Sequence, residues 1–437
     1  MLIFSRLWLS TTLLCASAGV LAAPSLSTVY DLALRNDPEF AAAEAAHRAG
    51  VEALPQARSV LLPQLGGTIG LNRTRRELET TAGDSLKEYN NKNTTLSLTQ
   101  IIYDRKAFLA LKQAAARVVQ VDLEQAIAKQ DLALRTAQAY AELSFATASL
   151  GLAQAKTLAF AEQQQQAQQM YDAGQATITD VHEARARHAL ATAEEMEALD
   201  TLHIRQQAMY KLTGQSLKEV AMLAEQAPMP APQPNQLQHW LDKARNSSLE
   251  ILAAGRNKEV AQYEVKRARS QHLPVLKLVG SGQWQDNTDL GYLRDNPSSV
   301  GVQLSVPIFE GGRVNSVTRE TLARRDQANA LLRGAALDSD IHVIEAFHGM
   351  NDSIARTHAL EQAVHSGEVA LDAAQGGFKA GLRTSLDVLN AHQQVFSARR
   401  DLLQARHNYI LHRLKLEASC GTLERADLVL VDKWLNK

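Results

Sequence analysis

Thirteen histidines and two cysteines are the residues of this 437-residue chain best suited to bind a metal or attack a substrate. Their spacing suits neither task. His182 and His188 stand six apart, and His407 and His412 five apart. A helical zinc site needs an i,i+4 pair, and no His-Glu-x-x-His is present. These histidines are expected to be exposed or interfacial helix residues. Gly311-Gly312 and Gly376-Gly377 are not followed by Gly-Lys-Ser/Thr, so they signal turns rather than a phosphate loop. No Gly-x-Ser-x-Gly elbow occurs, and Cys420 has no plausible catalytic setting. Neither catalysis nor a metal or other cofactor is expected, so any energy must come from a partner.

The side chains with readable roles lie in a duplicated motif. Tyr171-x-x-Gly174-x-x-Thr177-x-x-Asp180-Val181 recurs as Phe378-x-x-Gly381-x-x-Thr384-x-x-Asp387-Val388, 207 residues later. Each glycine suits a chain reversal, because glycine accepts positive φ. Each threonine stands where it could cap a following helix. Other landmarks repeat in the same order. Leu62-Pro63 is echoed by Leu273-Pro274, and Ile102-Tyr103-Asp104 by Ile308-Phe309-Glu310. Thr213-Gly214 is echoed by Cys420-Gly421, and Asn36 by Asn246. The copies are expected to run over residues 23–227 and 236–437. Between them the stretch from Glu225 to Pro234 holds four of the eleven prolines, so residues 228–235 form an extended linker.

Composition narrows the class. With 46 Lys+Arg against 47 Asp+Glu the chain lacks the basic excess that a nucleic-acid partner would favour. Aromatics are only 5%, as in long helices rather than a compact enzyme. A mean hydropathy of -0.22 excludes a helical multi-span membrane protein. Arg6, the apolar run Leu7 to Leu14 and small residues to Ala23 have the order of a secretory signal, with cleavage expected after Ala22. Its removal takes Cys15 and leaves one cysteine, so no intramolecular disulfide can form.

Four short segments alternate apolar and polar residues. Leu65, Ile69 and Leu71 oppose Thr68, Asn72 and Thr74, and Leu96 and Leu98 oppose Ser97 and Thr99. Leu276, Leu278 and Trp284 oppose Lys277, Ser281 and Gln283, and Val300, Val302 and Leu304 oppose Gly301, Gln303 and Ser305. Period two places each set on one side of a strand. At about ten residues, each segment has the length a tilted strand needs to cross a bilayer. A soluble two-sided sheet fits the same pattern. Trp284, Tyr292, Tyr103 and Phe309 lie near segment ends, where an aromatic girdle would sit. Glu77 to Asn91 and Asp286 to Pro297 are expected to be exposed hairpin loops. Four strands cannot satisfy their backbone in hydrocarbon as an open sheet, so in a membrane copies of the chain must share a barrel. Two copies would give eight strands filled by their own side chains; three would give twelve and a water path.

Asp104 to about Tyr171 contains no proline. As one helix it would extend about 100 Å. The stretch from Val314 to Ala374 repeats it, and shorter helices are expected over Thr179 to Leu212 and Thr384 to Ser419. In the last, Val388, Val395, Leu402, Tyr409 and Leu416 are spaced by seven, beside Leu389, Phe396, Leu403 and Ile410. A heptad repeat forces left-handed supercoiling. An apolar seam two columns wide suits a cylinder of helices, and an antiparallel bundle fits it as well.

Together, the duplicated motif, the Leu-Pro before a strand and the run from Leu304 through Pro307 to Gly312 resemble the TolC family of outer-membrane efflux and secretion channels. The resemblance covers essentially the whole mature chain. It implies a mainly α protein with membrane β structure, a homotrimer whose 12-stranded β-barrel in outer-membrane lipid continues as a 12-helix α-barrel in the periplasm. It also implies a mixed α/β belt from Leu26 to Leu54, residues 215–255 and the C-terminal tail. Its partners would be a periplasmic adaptor, or membrane fusion protein, and an inner-membrane transporter. The cargo would be a polypeptide, as in type I secretion, or small toxic compounds. The alternative is a soluble periplasmic coiled-coil adaptor or scaffold, which would not need four amphipathic strands.

The resemblance also implies roles for residues. Tyr171, Gly174, Thr177, Gly381 and Thr384 would form the helical-turn tips where the adaptor docks. Asp387 would face the pore. Asn390 occupies a position where a relative has a second Asp, so the entrance should attract cations less than a ring of paired carboxylates would. Arg383 would pair with Asp180 of the neighbouring coil, with Thr179 and Gln163 nearby. Phe378 stands where a Tyr would hydrogen-bond, so that link would be absent.

Overall fold

A computed structural model describes residues 23–81, 83–217, 219–224, 226–287 and 296–435. The expected signal segment, Cys15, Tyr292, Glu225 and most of the stretch after Asp286 lie outside the described residues. The chain begins with three helices, α1 (Leu26–Asn36), α2 (Pro38–Val51) and α3 (Ala53–Ser59). A hairpin follows, β1 (Gln64–Thr80) and β2 (Gly83–Tyr103), then α4 (Arg105–Asp172) and α5 (Ile178–Thr213). The order then repeats: α6 (Leu237–Ser247), α7 (Leu249–Arg269), β3 (Val275–Asn287), β4 (Ser298–Ser305), α8 (Arg313–Lys379) and α9 (Ser385–Ser419). A last helix, α10 (Arg425–Asp432), ends the described fold. The architecture is mainly helical and built of two repeats.

The strands form one antiparallel sheet in the order β1-β2-β3-β4. Its register explains the alternation. Leu65 pairs with Leu98 and Gly67 with Leu96; Leu98 pairs with Gly280 and Leu96 with Gly282; Leu278 pairs with Val302 and Gly280 with Val300. The alternating leucines and valines of this set, drawn from all four strands, therefore share one face. Thr68, Ser97, Ser281 and Ser299 belong to the other, where the Ser281 and Ser299 hydroxyls lie 2.9 Å apart. Glu77 to Asn91 is not the expected loop. β1 has 17 residues and β2 has 21, so paired strand continues through the polar stretch as far as the Thr80–Gly83 pair. Cross-strand neighbours support it: an Arg73 guanidinium nitrogen lies 2.9 Å from Glu88, the register partner of Arg75 and so its diagonal neighbour on the same face. Charged residues in matched pairs form strand as readily as apolar ones when both sides face water.

Proline marks where helix gives way to sheet. Pro63 and Pro274 precede β1 and β3, and Asp104 ends the β2 segment and caps α4 by accepting from the Lys106 and Ala107 N–H groups at 2.8 and 3.3 Å. α4 packs against α5, α7 and α9, and α8 against α7 and α9. The heptad column turns inward as expected: Val388, Val395, Tyr409 and Leu416 are buried, as are Leu389 and Ile410. His407 lies deeper than expected. It is buried between α9 and α4, its ring nitrogens 2.8 Å from the Leu403 carbonyl and 3.2 Å from the Ser144 hydroxyl. Burial pushes its imidazole below the usual histidine range, toward the neutral form.

The main apolar core lies not in the long coils but where the short segments meet them. Val29, Met209, Val220, Trp240, Leu428 and Trp434 converge there on Tyr140 and Tyr409. The Tyr140 hydroxyl donates to the Ala221 carbonyl at 2.9 Å, and that of Tyr409 to Pro230 at 2.7 Å. Trp240 Nε1 donates to Pro234 at 2.9 Å, so the proline linker is extended but pinned. The expected α/β mixture of this belt is reduced to a single bridge, Leu223 to Leu435, among the described residues. Its helices and tail bury their own apolar stripes, which leaves little call for strand pairing.

One buried ion pair fastens the start of α2. Asp37 caps it by accepting from the Phe40 N–H at 2.9 Å, and Arg135 of α4 donates to the same carboxylate oxygen at 2.9 Å. Burial pushes the Asp37 carboxyl up, but the Arg135 and Phe40 hydrogen bonds outweigh it and hold it below the usual range. A carboxyl lowered on folding stabilises above its unfolded pKa of about 4, and that contribution is lost as pH falls through the folded value. Asp37→Asn should therefore lower the unfolding temperature near neutral pH and flatten its decline in acid. A parallel decline in both proteins would contradict this.

Candidate functional site

The two coils end in matching turns. Gly174 has φ +73° and Gly381 +74°, and a Cβ on either would meet nothing within 4 Å. Backbone handedness, not crowding, therefore selects glycine there. Reversed bonds close each helix: Gln175 N donates to the Met170 carbonyl at 2.7 Å, and Leu382 N to Gly377 at 2.8 Å.

Thr177 and Thr384 then start α5 and α9 with the same backbone, φ -91° and ψ 160°. Each is half of a capping box. Asp180 accepts from the Thr177 N–H at 2.9 Å and its hydroxyl at 2.7 Å, while the Thr177 hydroxyl accepts from Asp180 N at 3.3 Å. Asp387 accepts from the Thr384 N–H and hydroxyl at 2.9 Å each. Those two bonds, assisted by Arg383, hold the Asp387 carboxyl below the usual range. The carboxylates thus lock their own helix starts. The Thr-x-x-Asp spacing carried that signal, and sequence reasoning assigned Asp387 only to the pore. Thr384→Ala should cost about 1 kcal/mol of local helix stability, read as faster amide exchange in the first turn of α9. Unchanged exchange would sink the capping role.

The expected link between Arg383 and Asp180 does not form within the chain. Arg383, in the turn before α9, places its Nη1 3.9 Å from Asp387 in the first turn of that helix, and Asp180 is engaged by Thr177. Asp387 is within reach of Arg383 across the same turn, and the cap already occupies one of the two Asp180 oxygens. Sequence reasoning missed a polar contact that joins the coils near the tips: Arg187 Nη2 of α5 donates to Asn390 Oδ1 of α9 at 3.2 Å. Only the fold brings these residues together, 203 positions apart. Gln163 lies on α4, where its Oε1 is buried with no hydrogen-bond partner among the described residues. Thr179 is exposed on the first turn of α5, and Phe378 is half-buried near the end of α8. Tyr171, Ile178 and Leu382 expose apolar surface at the tips, Leu382 at 83%.

At the opposite end, the apolar sheet face is open in a single chain. Ile69 is 77% exposed, Val300 81% and Phe309 87%, and the outer edges of β1 and β4 have no strand beside them among the described residues. Among the described residues, no helix is long and apolar enough to cross a membrane.

Comparisons with known proteins agree with this geometry. Residues 29–215 and 240–422 match the family model described as Outer membrane efflux protein. The chain is 32% identical over 435 residues to outer membrane protein TolC of Vibrio cholerae, covering 98% of each. It is 32% identical over 410 residues to the alkaline protease secretion protein AprF of Pseudomonas aeruginosa, covering 92% of this chain and 85% of that one. In fold it is similar to the crystal structure of outer membrane protein VceC from Vibrio cholerae. The TM-score is 0.78 at 22% identity, over 91% of this chain and 96% of that one.

Proposed function

From the premise that this chain belongs to the outer membrane efflux protein family, we propose that it is the outer-membrane exit duct of a tripartite efflux or type I secretion system. The observation that carries the proposal is the four-stranded sheet with one apolar face and two open edges. Lipid demands that every backbone group be paired, so strand edges must meet other copies. Three copies give twelve strands around a polar lumen, continued by twelve helices across the periplasm. The sites are an outer membrane above and a docking surface for a periplasmic adaptor and an inner-membrane transporter below. Residues 1–22 are the export signal, and residues 23–227 and 236–437 are the repeats, joined by 228–235. No enzymatic role is proposed. The relative named for alkaline protease secretion makes a polypeptide cargo reasonable, beside small toxic compounds.

In this reading the coil tips form the entrance. Asp387 and Asn390 line it, while Arg383, Asp180, Thr179 and Gln163 lie at contacts between neighbouring coils, and Tyr171, Gly174, Thr177, Gly381 and Thr384 meet the adaptor. Phe378 adds no hydroxyl to these contacts. The Arg187–Asn390 bond holds α9 to α5 and so resists opening. The purified protein should conduct in a planar bilayer, with a larger conductance in Arg383→Ser and larger still when Arg187→Ala is added. Asp387→Asn should weaken block by a divalent cation. Equal conductance in all three proteins would remove both arginines from the entrance, and absence of any conductance would overturn the channel itself. Export of a protein toxin against drug susceptibility in a deletion strain separates the two cargo classes.

A further inference from the structure

The apolar face of the sheet has a polar reverse of uniform chemistry. The register sets Thr68, Thr95 and Gln283 in one row of that reverse, and Asn93 and Gln285 in the next. Amides and hydroxyls both donate and accept, so such a lining favours neither sign of charge. From the Asn72–Asn91 pair down to the Val275–Ser305 pair, the register places a single charged residue on this side among the described residues, Lys277. Lys92 and Asp286, the other charged residues in that range, are register partners in a row with Leu71 on the apolar side.

The neighbours of Lys277 in the sheet do not offset its charge. Its register partners, Ile101 and Gln303, carry none. The carboxylates at the foot of the sheet are engaged elsewhere: Asp104 accepts from the Lys106 N–H at 2.8 Å, and Glu310 lies 2.7 Å from Arg313. Counted from the two Leu-Pro landmarks, Gly66 of the first repeat stands where Lys277 stands in the second, so each chain brings one such charge and not two. An amine without a counter-ion beside water acts through its field on mobile ions.

We propose that Lys277 sets the ion preference of the barrel and draws anions through it, in series with a coil entrance where Asp387 draws cations. The inference rests on the reading of three copies around a polar lumen, which makes Lys277 a ring of three. Twelve strands about 4.8 Å apart and tilted about 40° close into a barrel roughly 25 Å across at the backbone. Walls of low dielectric focus the field of the ring on the water inside. That field reaches about 30 Å at 0.01 M salt and about 3 Å at 1 M. The ring therefore commands the whole lumen in dilute salt and only the wall in concentrated salt.

Reversal potentials across a KCl gradient in planar bilayers read the chloride-to-potassium permeability ratio. Arg187→Ala, Arg383→Ser and Asp387→Asn together open the entrance and remove its carboxylate, so that the barrel sets the ratio. On that background Lys277→Gln should lower the ratio about threefold at 0.01 M salt and by little at 1 M, where the charge is screened. Lys277→Glu should lower it further. Moving the lysine to its register partner, as Lys277→Gln with Gln303→Lys, should restore the ratio, which a merely structural lysine would not do. Conduction with a ratio that neither Lys277→Gln nor Lys277→Glu changes would overturn the ring and leave the channel standing. Absence of conduction in the natural and entrance-opened proteins alike would overturn both.

Discussion

Arginine at Val302 should keep the chain from assembling in the outer membrane, whereas arginine at the adjacent Gln303 should be tolerated. Val302 is 62% exposed and shares a sheet face with its register partner Leu278. Gln303 pairs with Lys277 on the opposite face. A lipid-facing Arg near the bilayer midplane costs about 2–4 kcal/mol, and less near the interface. In the proposed threefold assembly that cost would apply three times to one particle. A lumen-facing Arg keeps its water and should instead shift ion selectivity toward anions. Immunoblots of outer-membrane fractions, with and without heating, would read the assembled form. Equal assembly of both variants would mean that the two faces do not meet different solvents.

The second large effect belongs to the belt. Tyr409 is fully buried, its ring centroid lies 6.0 Å from that of Trp434, and its hydroxyl holds Pro230. Tyr409→Ala removes a core ring and should cost about 3–5 kcal/mol. Tyr409→Phe leaves the Pro230 carbonyl short of one donor and should cost about 1 kcal/mol. Limited proteolysis should therefore cut the linker at residues 228–235 quickly in the alanine variant and slowly in the phenylalanine one. If alanine protects the linker as well as tyrosine does, the belt core is not what pins it.

What the sequence disclosed, and what it hid, follows from the range of each interaction. The sheet faces were legible because alternation is local, and the heptad of α9 because Val388, Val395, Tyr409 and Leu416 repeat along one helix. The turns were legible because only glycine suits the backbone at Gly174 and Gly381. The upper halves of β1 and β2 were not, because their charged residues resemble a loop until Arg73 is known to meet Glu88. The belt was hidden for a related reason: Val29, Val220, Trp240 and Trp434 come from four distant segments. At the coil tips, the local Thr-x-x-Asp caps were available to sequence reasoning and only their carboxylate half was overlooked. The Arg187–Asn390 contact was not available, since no pattern along the chain joins residues two hundred positions apart.

The central claim is that one chain brings too few strands to close a membrane pore and must share it with copies of itself. Native mass spectrometry of the mature protein, released from outer membranes in mild detergent, tests this most directly. The account predicts a single species with three times the mass of the chain. A stable monomer that stays soluble after detergent is removed would contradict it.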